Sequence, residues 1–198
     1  MKIAITGNIG SGKSTFAQFA EEAGFTVLKA DDISKKILDE DEKIKSLVIK
    51  EFGEKSFKAG KPNKSFLASE VFKNSTKLQK LESILHPRVI KSIEKSSAEI
   101  LKSNKVVFVE AALIYEADME AMFDYVVLIT AQRDLRLARK IKAGLTEEDF
   151  INRELNQIPE DEKKKRADFI FSNDGSIEEL KMKFDLLLLT LGIKCFIS

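Results

Sequence analysis

The sequence predicts a three-layer α/β fold, a five-stranded parallel sheet with helices on both faces. Three observations carry that prediction. Short apolar runs alternate with helical segments along the chain. The runs are apolar throughout rather than alternating, the pattern of strands covered on both sides. The first run leads straight into a glycine-rich loop that opens a helix.

Taken in order, Lys2 to Thr6 reads as a short buried strand. Lys13 to Ala23 reads as a helix stopped by Gly24. Phe25 to Lys29 is the second strand, and Asp31 or Asp32 can cap a helix that begins near Ile33. Residues 40–103 are lysine-rich and helical in pattern, broken around Gly53 and at the turn signal Gly60-Lys61-Pro62-Asn63. Val106 to Val109, Tyr125 to Ile129 and Phe169 to Phe171 supply three more strands. Helices fill about 132–143, 147–157 and 176–190. Right-handed crossovers are expected, and there is no internal repeat or low-complexity linker.

With 198 residues, 43% hydrophobic and 33% charged, the chain suits one globular domain with a sizeable core. A net charge of +1 gives no global case for nucleic acid or membrane partners. The single cysteine, Cys195, excludes an internal disulfide and suits a cytoplasmic protein. Ile3-Ala4-Ile5 is too short for a signal peptide, and no apolar run, Leu186 to Leu191 included, is long enough to cross a bilayer. Cys195-Phe196-Ile197-Ser198 formally fits a prenylation pattern; without a polybasic run upstream it reads as a chance match.

Gly7-Asn8-Ile9-Gly10-Ser11-Gly12-Lys13-Ser14 fits the phosphate-loop pattern G-x-x-x-x-G-K-[ST]. Its glycines let the backbone turn tightly and approach a ligand. Successive N–H groups and the following helix N-terminus then form an anion site. Lys13 can reach the β and γ phosphates of ATP, and the Ser14 hydroxyl can ligate Mg²⁺. The expected ATP-binding set is Gly7, Asn8, Ile9, Gly10, Ser11, Gly12, Lys13, Ser14 and Thr15.

The loop alone does not separate kinases, GTPases and motor ATPases. Ser172-Asn173-Asp174-Gly175 is not the guanine-reading Asn-Lys-x-Asp, and the Glu-Ala-Ala after Val106 to Val109 is ambiguous as a motor signature. The small size and helical insertion favour a small-molecule kinase. Asp31 and Asp32 end the second strand, on the edge where a parallel sheet carries its ligand. There a carboxylate can take the proton of an acceptor hydroxyl, hold that hydroxyl in line with the γ phosphate, or simply cap a helix.

Beyond these pieces the chain resembles the dephospho-CoA kinase family from about residue 3 to residue 180. The resemblance rests on Thr6 to Thr15, Ala30-Asp31-Asp32-Ile33, Val71-Phe72, Leu81-Glu82-Ser83-Ile84-Leu85-His86-Pro87, Glu110-Ala111-Ala112-Leu113-Ile114-Tyr115-Glu116, Arg153 through Gln157 to Pro159, Ala167-Asp168 and Asn173-Asp174-Gly175. It implies phosphorylation of the ribose 3′-hydroxyl of dephospho-CoA by ATP, with Mg²⁺. It implies a single domain with its core at about 1–35, 104–130 and 165–198, a substrate-holding insertion at about 60–100 and a lid at about 130–150. Asp31, Lys13 and Arg139 become the catalytic group; Asp31, His86 and Glu110 face the substrate; Ser14 faces the metal. A monomer or weak homo-oligomer is expected. The rivals are another small-molecule kinase, for a nucleotide or a shikimate-like alcohol, and a nucleotide-dependent switch that hydrolyses ATP slowly.

Three departures stand out. Lys29 replaces an acidic residue of the second motif, Ala112 replaces a proline, and Lys142-Ala143-Gly144-Leu145 is one residue short, so a second lid arginine of the family has no clear match, with Lys142 as a candidate substitute that lacks its planar fork. His86 before Pro87 reads from sequence as a helix boundary. Arg133, Arg136 and Lys140 read as a solvated face, Lys163-Lys164-Lys165-Arg166 as a solvated helix end, and Glu116 as a helix-start residue. Glu110 is placed for magnesium or water contact.

Overall fold

The computed structural model describes residues 1–72 and 74–194. Cys195 to Ser198, with the prenylation pattern, lie outside the described residues. Two compact units are present: residues 1–29 with 96–198, and residues 30–95.

The first unit carries the sheet. Its strands are β1 (Lys2–Thr6), β2 (Thr26–Lys29), β5 (Val107–Glu110), β6 (Tyr125–Thr130) and β7 (Phe169–Ser172), in the spatial order β2-β5-β1-β6-β7. Every pairing is parallel, with Ile5 opposite Glu110 on one side and Val127 on the other. Val107, Phe108 and Val109 are all fully buried, which explains why these strands read as unbroken apolar runs. Helix α1 (Lys13–Glu22) and helix α9 (Ile177–Thr190) cover one face. There Phe16, Phe108 and Phe184 meet ring to ring, with Phe16 and Phe184 edge-on at 5.4 Å. Because the chain leaves the central β1 toward β2 on one side while its neighbour β6 leads to β7 on the other, the loop after β1 leaves the sheet at its topological switch point.

Around that sheet the later helices are α6 (Arg133–Lys142), α7 (Glu147–Leu155) and the short α8 (Glu160–Lys164). Thr146 caps α7 through the amide of Asp149, and Ser176 caps α9 through that of Glu179. Helix α8 lies outside the helical ranges read from sequence, although Lys163 to Arg166 was read as a helix end; three acidic residues open it, and it is only five residues long.

The second unit holds α2 (Ala30–Glu40), α3 (Glu42–Phe52), a two-stranded hairpin of β3 (Phe57–Lys58) and β4 (Lys61–Pro62), α4 (Lys64–Phe72) and most of α5 (Ser75–Ile100). Its small core joins Ile44, Val48, Leu67 and Leu85. Asp41 caps α3 by accepting from the amides of Lys43 and Ile44, and pairs with Arg88 at 2.7 Å. Desolvation opposes the charge of Asp41, but those amides and Arg88 outweigh it and hold the carboxyl below its ordinary value.

Three local expectations are corrected. Helix α2 begins at Ala30, directly after β2, so Asp31 and Asp32 sit in its first turn rather than capping it from outside. The turn expected at Gly60 to Asn63 lies two residues earlier, with Ala59 (φ 50°) and Gly60 (φ 77°) between the hairpin strands. Helix α5 runs through Pro87, so His86 is inside a helix and not at its end. Twenty-six residues of continuous turns outweigh the one hydrogen bond that proline cannot donate. No helix among the described residues is long and apolar enough to cross a membrane.

Candidate active site

The phosphate loop spans the gap between β1 and α1. Gly7 (φ 156°), Gly10 (φ 80°) and Gly12 (φ 101°) hold backbone angles that favour glycine. Space forbids side chains there as well. An added Cβ would lie 2.3 Å from the Ile129 carbonyl oxygen at Gly7, 2.5 Å from that of Arg136 at Gly10, and 2.1 Å from the Asn173 amide at Gly12. Helix α1 starts at Lys13 with no side-chain cap and no acidic residue in its first turn, so its positive end stays open to an anion.

Lys13, Ser14 and Thr15 line a cavity of about 290 Å³ together with Gly10, Gly12, Arg139 and Lys140. Beside it, the Ser14 hydroxyl donates to Oε1 of Glu110, the last residue of β5, at 2.7 Å. The register explains the meeting: Glu110 is level with Ile5, one residue before β1 ends. A hydroxyl and a carboxylate so placed form a hard-oxygen pair of the kind Mg²⁺ uses. Among the described residues no group of three or more His, Cys, Asp or Glu forms a fuller metal site.

Behind the loop stands a set of donors that the solvated-face reading missed. Arg136 is only 6% exposed. Its guanidinium donates to the carbonyls of Ala131 (3.1 Å) and Ile9 (3.2 Å) and to Oε1 of Glu154 (2.7 Å), and it lies over the Phe150 ring. Arg139 donates to the Asn173 carbonyl at 2.7 Å and more weakly to that of Gly10 at 3.4 Å. Asn173 in turn donates its side-chain amide to the Ser11 carbonyl at 2.8 Å. The carbonyls of Ile9, Gly10 and Ser11 are thus each met by a different side chain from residues 136–173. On the amide side, Ser11 N–H goes to Asn8 O, and Ile9 N–H goes to Oε1 of Gln157 at 2.8 Å.

A further buried group anchors this back wall. Glu116 accepts from the Ile158 amide at 2.9 Å and lies 2.8 Å from the ammonium of Lys163, which is fully buried. The Lys163 contact is an ion pair without hydrogen-bond alignment. Arg166 pairs with Glu120 and lies 4.7 Å from the Tyr115 ring centroid. Burial pushes the Tyr115 hydroxyl up to about 12 against the pull of Arg166. The basic run at 163–166 is therefore not a uniformly solvated helix end, and Glu116 is not a helix start; it lies in a turn. Sequence could not show this, because the partner carboxylates lie more than forty residues away.

Of the expected residues, Gly10, Gly12, Lys13, Ser14, Thr15 and Arg139 line the cavity and Glu110 is bonded to Ser14 beside it, whereas Gly7, Asn8, Ile9 and Ser11 do not line it. Asp31 follows the end of β2 by two positions, in α2, and His86 lies in α5. Lys140, not Lys142, joins Arg139 on the cavity wall. Gln157, Asn173, Arg136 and Lys163 were missed as site-building residues.

A family model for dephospho-CoA kinase matches residues 1–179. The chain is 38% identical over 179 residues to the dephospho-CoA kinase of Aquifex aeolicus, covering 90% of this chain and 91% of that one. It is 33% identical over 192 residues to that of Fusobacterium nucleatum, covering 93% and 95%. A solved dephospho-CoA kinase from Campylobacter jejuni is similar with a TM-score of 0.72 at 31% identity, covering 96% of this chain and 98% of that one. A shikimate kinase from Acinetobacter baumannii reaches 0.57 at 15% identity, covering 98% and 95%, a likeness of fold alone.

Proposed function

The chain belongs to the dephospho-CoA kinase family, and on that premise we propose that it transfers the γ-phosphoryl group of ATP to the ribose 3′-hydroxyl of dephospho-CoA, giving coenzyme A. One observation carries the reading within the protein itself. The open N-terminus of α1, Gly10, Gly12 and Ser14 meet at one cavity, with Glu110 bonded to Ser14 beside it, which suits a nucleoside triphosphate and its metal.

Each residue then has a task. The loop amides and Lys13 hold the β and γ phosphates. Ser14 and Glu110 are the groups that would hold Mg²⁺, which when bound supplies positive charge beside the phosphate oxygens. Arg139, already on the cavity wall, neutralises charge on the transferring group by exchanging its carbonyl partners for phosphate oxygens. Asp31 holds the acceptor hydroxyl and takes its proton; its support is its place just after β2, with Asp32 beside it. His86 and Glu110 contribute to acceptor contact. The same reading places the protein in the cytoplasm as a monomer or weak homo-oligomer.

The test follows ADP release from ATP and Mg²⁺, with and without dephospho-CoA, for the wild type and Asp31→Asn. Release is expected to depend on dephospho-CoA. Asp31→Asn is expected to lose about 10²- to 10⁴-fold in turnover while still binding ATP. Turnover only with a different alcohol acceptor, or hydrolysis indifferent to any acceptor, would sink the assignment. A variant within a few-fold of wild type would remove Asp31 as the base.

A further inference from the structure

We propose that Gln157 and Arg136 act as a pin on Ile9, a pair of positioning residues that turns the phosphate-loop amides into the cavity before ATP arrives. Ile9 is gripped on both sides by side chains. Its N–H donates to Oε1 of Gln157 at 2.8 Å, and its carbonyl accepts from Arg136 at 3.2 Å.

A peptide unit is planar, and its C=O and the next N–H point in opposite directions. Holding the Ile9 carbonyl against Arg136 therefore turns the Gly10 N–H the other way. The grip of Asn173 on the Ser11 carbonyl does the same for the Gly12 N–H. Gly10 and Gly12 both line the cavity, whereas Ile9 does not. Its amide is spent on the pin, and its neighbours' amides are left to the ligand.

The pin itself is held. Arg136 is fixed by Glu154, by the Ala131 carbonyl and by the Phe150 ring. Glu154 and Gln157 both lie at the C-terminal end of α7, so one stretch of chain supplies Gln157 and holds Arg136 in place. The residue after Gln157 is tied to Glu116, and Glu116 to the buried Lys163. The need for a pin is physical. Three glycines at positive φ give this loop many conformations when free. Ordering them on binding would weaken ATP affinity, and ordering them beforehand avoids that loss.

The proposal rests on reading the loop as the nucleotide cradle, so the test has one arm that does not. Amide hydrogen exchange at Ile9 is measured in the nucleotide-free protein for wild type, Gln157→Leu and Gln157→Glu. ATP affinity is then titrated directly, and KM is measured separately for ATP and for dephospho-CoA. Gln157 is partly exposed, so Gln157→Leu is expected to fold. It should speed Ile9 exchange by about tenfold and weaken ATP binding by about five- to tenfold, the scale of one lost hydrogen bond. The KM for dephospho-CoA should stay within about twofold, because the pin does not touch the acceptor. Gln157→Glu keeps an acceptor for the amide and should restore Ile9 protection. Arg136→Lys keeps one cationic donor but not the fork, and should weaken ATP binding in the same sense. Unchanged Ile9 exchange in Gln157→Leu would overturn the contact. Faster exchange with unchanged ATP affinity would overturn its role, as would an equal rise in both KM values. A wild type that lacks turnover with dephospho-CoA would remove the function but leave exchange and ATP titration to decide the pin.

Discussion

The phosphate loop at residues 7–14 and the back wall at residues 131–173 use hydrogen bonds in opposite ways. The loop is built almost wholly from backbone and is short of side chains where the ligand must come close. The wall works through side chains, with Arg136, Arg139, Asn173 and Gln157 each spent on a loop backbone group. The difference teaches that a glycine loop does not shape itself. Its glycines permit the conformation, and the wall selects it.

Gly10→Ala breaks this arrangement most severely. The new methyl would meet the Arg136 backbone, which has no rotamer to yield with, at a φ that L-residues avoid. Turnover should fall by about 10²-fold or more, as expected when reacting groups move by about 1 Å. Steady-state kinetics on a variant shown to be folded by circular dichroism would check it. Activity within a few-fold of wild type would mean that the wall does not set the loop.

Glu116→Gln is expected to act on stability more than on turnover. It keeps an acceptor for the Ile158 amide but strands the buried Lys163 ammonium without its counter-charge. Breaking a buried pair in this way costs about 3 kcal/mol. Denaturant unfolding would show it, and adding Lys163→Met should recover much of the loss. A single variant as stable as wild type would show that Lys163 finds another counter-charge. The smallest effect belongs to Gly144→Ala. Gly144 has φ 87° like the loop glycines, but nothing lies within 4 Å of its added methyl. It should cost only about 1–2 kcal/mol in stability, from backbone strain alone, and leave turnover unchanged. The contrast between Gly10 and Gly144 isolates contact with the wall from backbone strain.

What sequence can show follows the same division. The five strands and the loop were legible because their signals are local: short apolar runs, Phe169 to Phe171 the shortest strand read, and glycines at fixed spacing. Ser14 and Glu110 were both singled out, although their 2.7 Å contact needed the β1–β5 register. The wall, Arg139 excepted, was not legible. Arg136 and Lys163 lie in basic stretches that read as solvated, because a charge run looks the same whether its partners are water or a carboxylate far along the chain. Gln157 lies 148 residues from the amide that it accepts, and only the parallel sheet brings them together. The helical unit at residues 30–95 showed its helices but not the passage of α5 through Pro87, where one local rule lost to the cooperativity of a long helix.

The most direct measurement follows the phosphorus itself. Dephospho-CoA, ATP and Mg²⁺ are incubated with the protein, and the products are read by ³¹P NMR. Transfer predicts one new phosphomonoester on the ribose 3′-oxygen for each ADP formed, with little free orthophosphate. ADP accompanied by an equal amount of orthophosphate, and no new ester, would contradict the account: the loop and its wall would then bind and hydrolyse ATP without passing its phosphoryl group to dephospho-CoA.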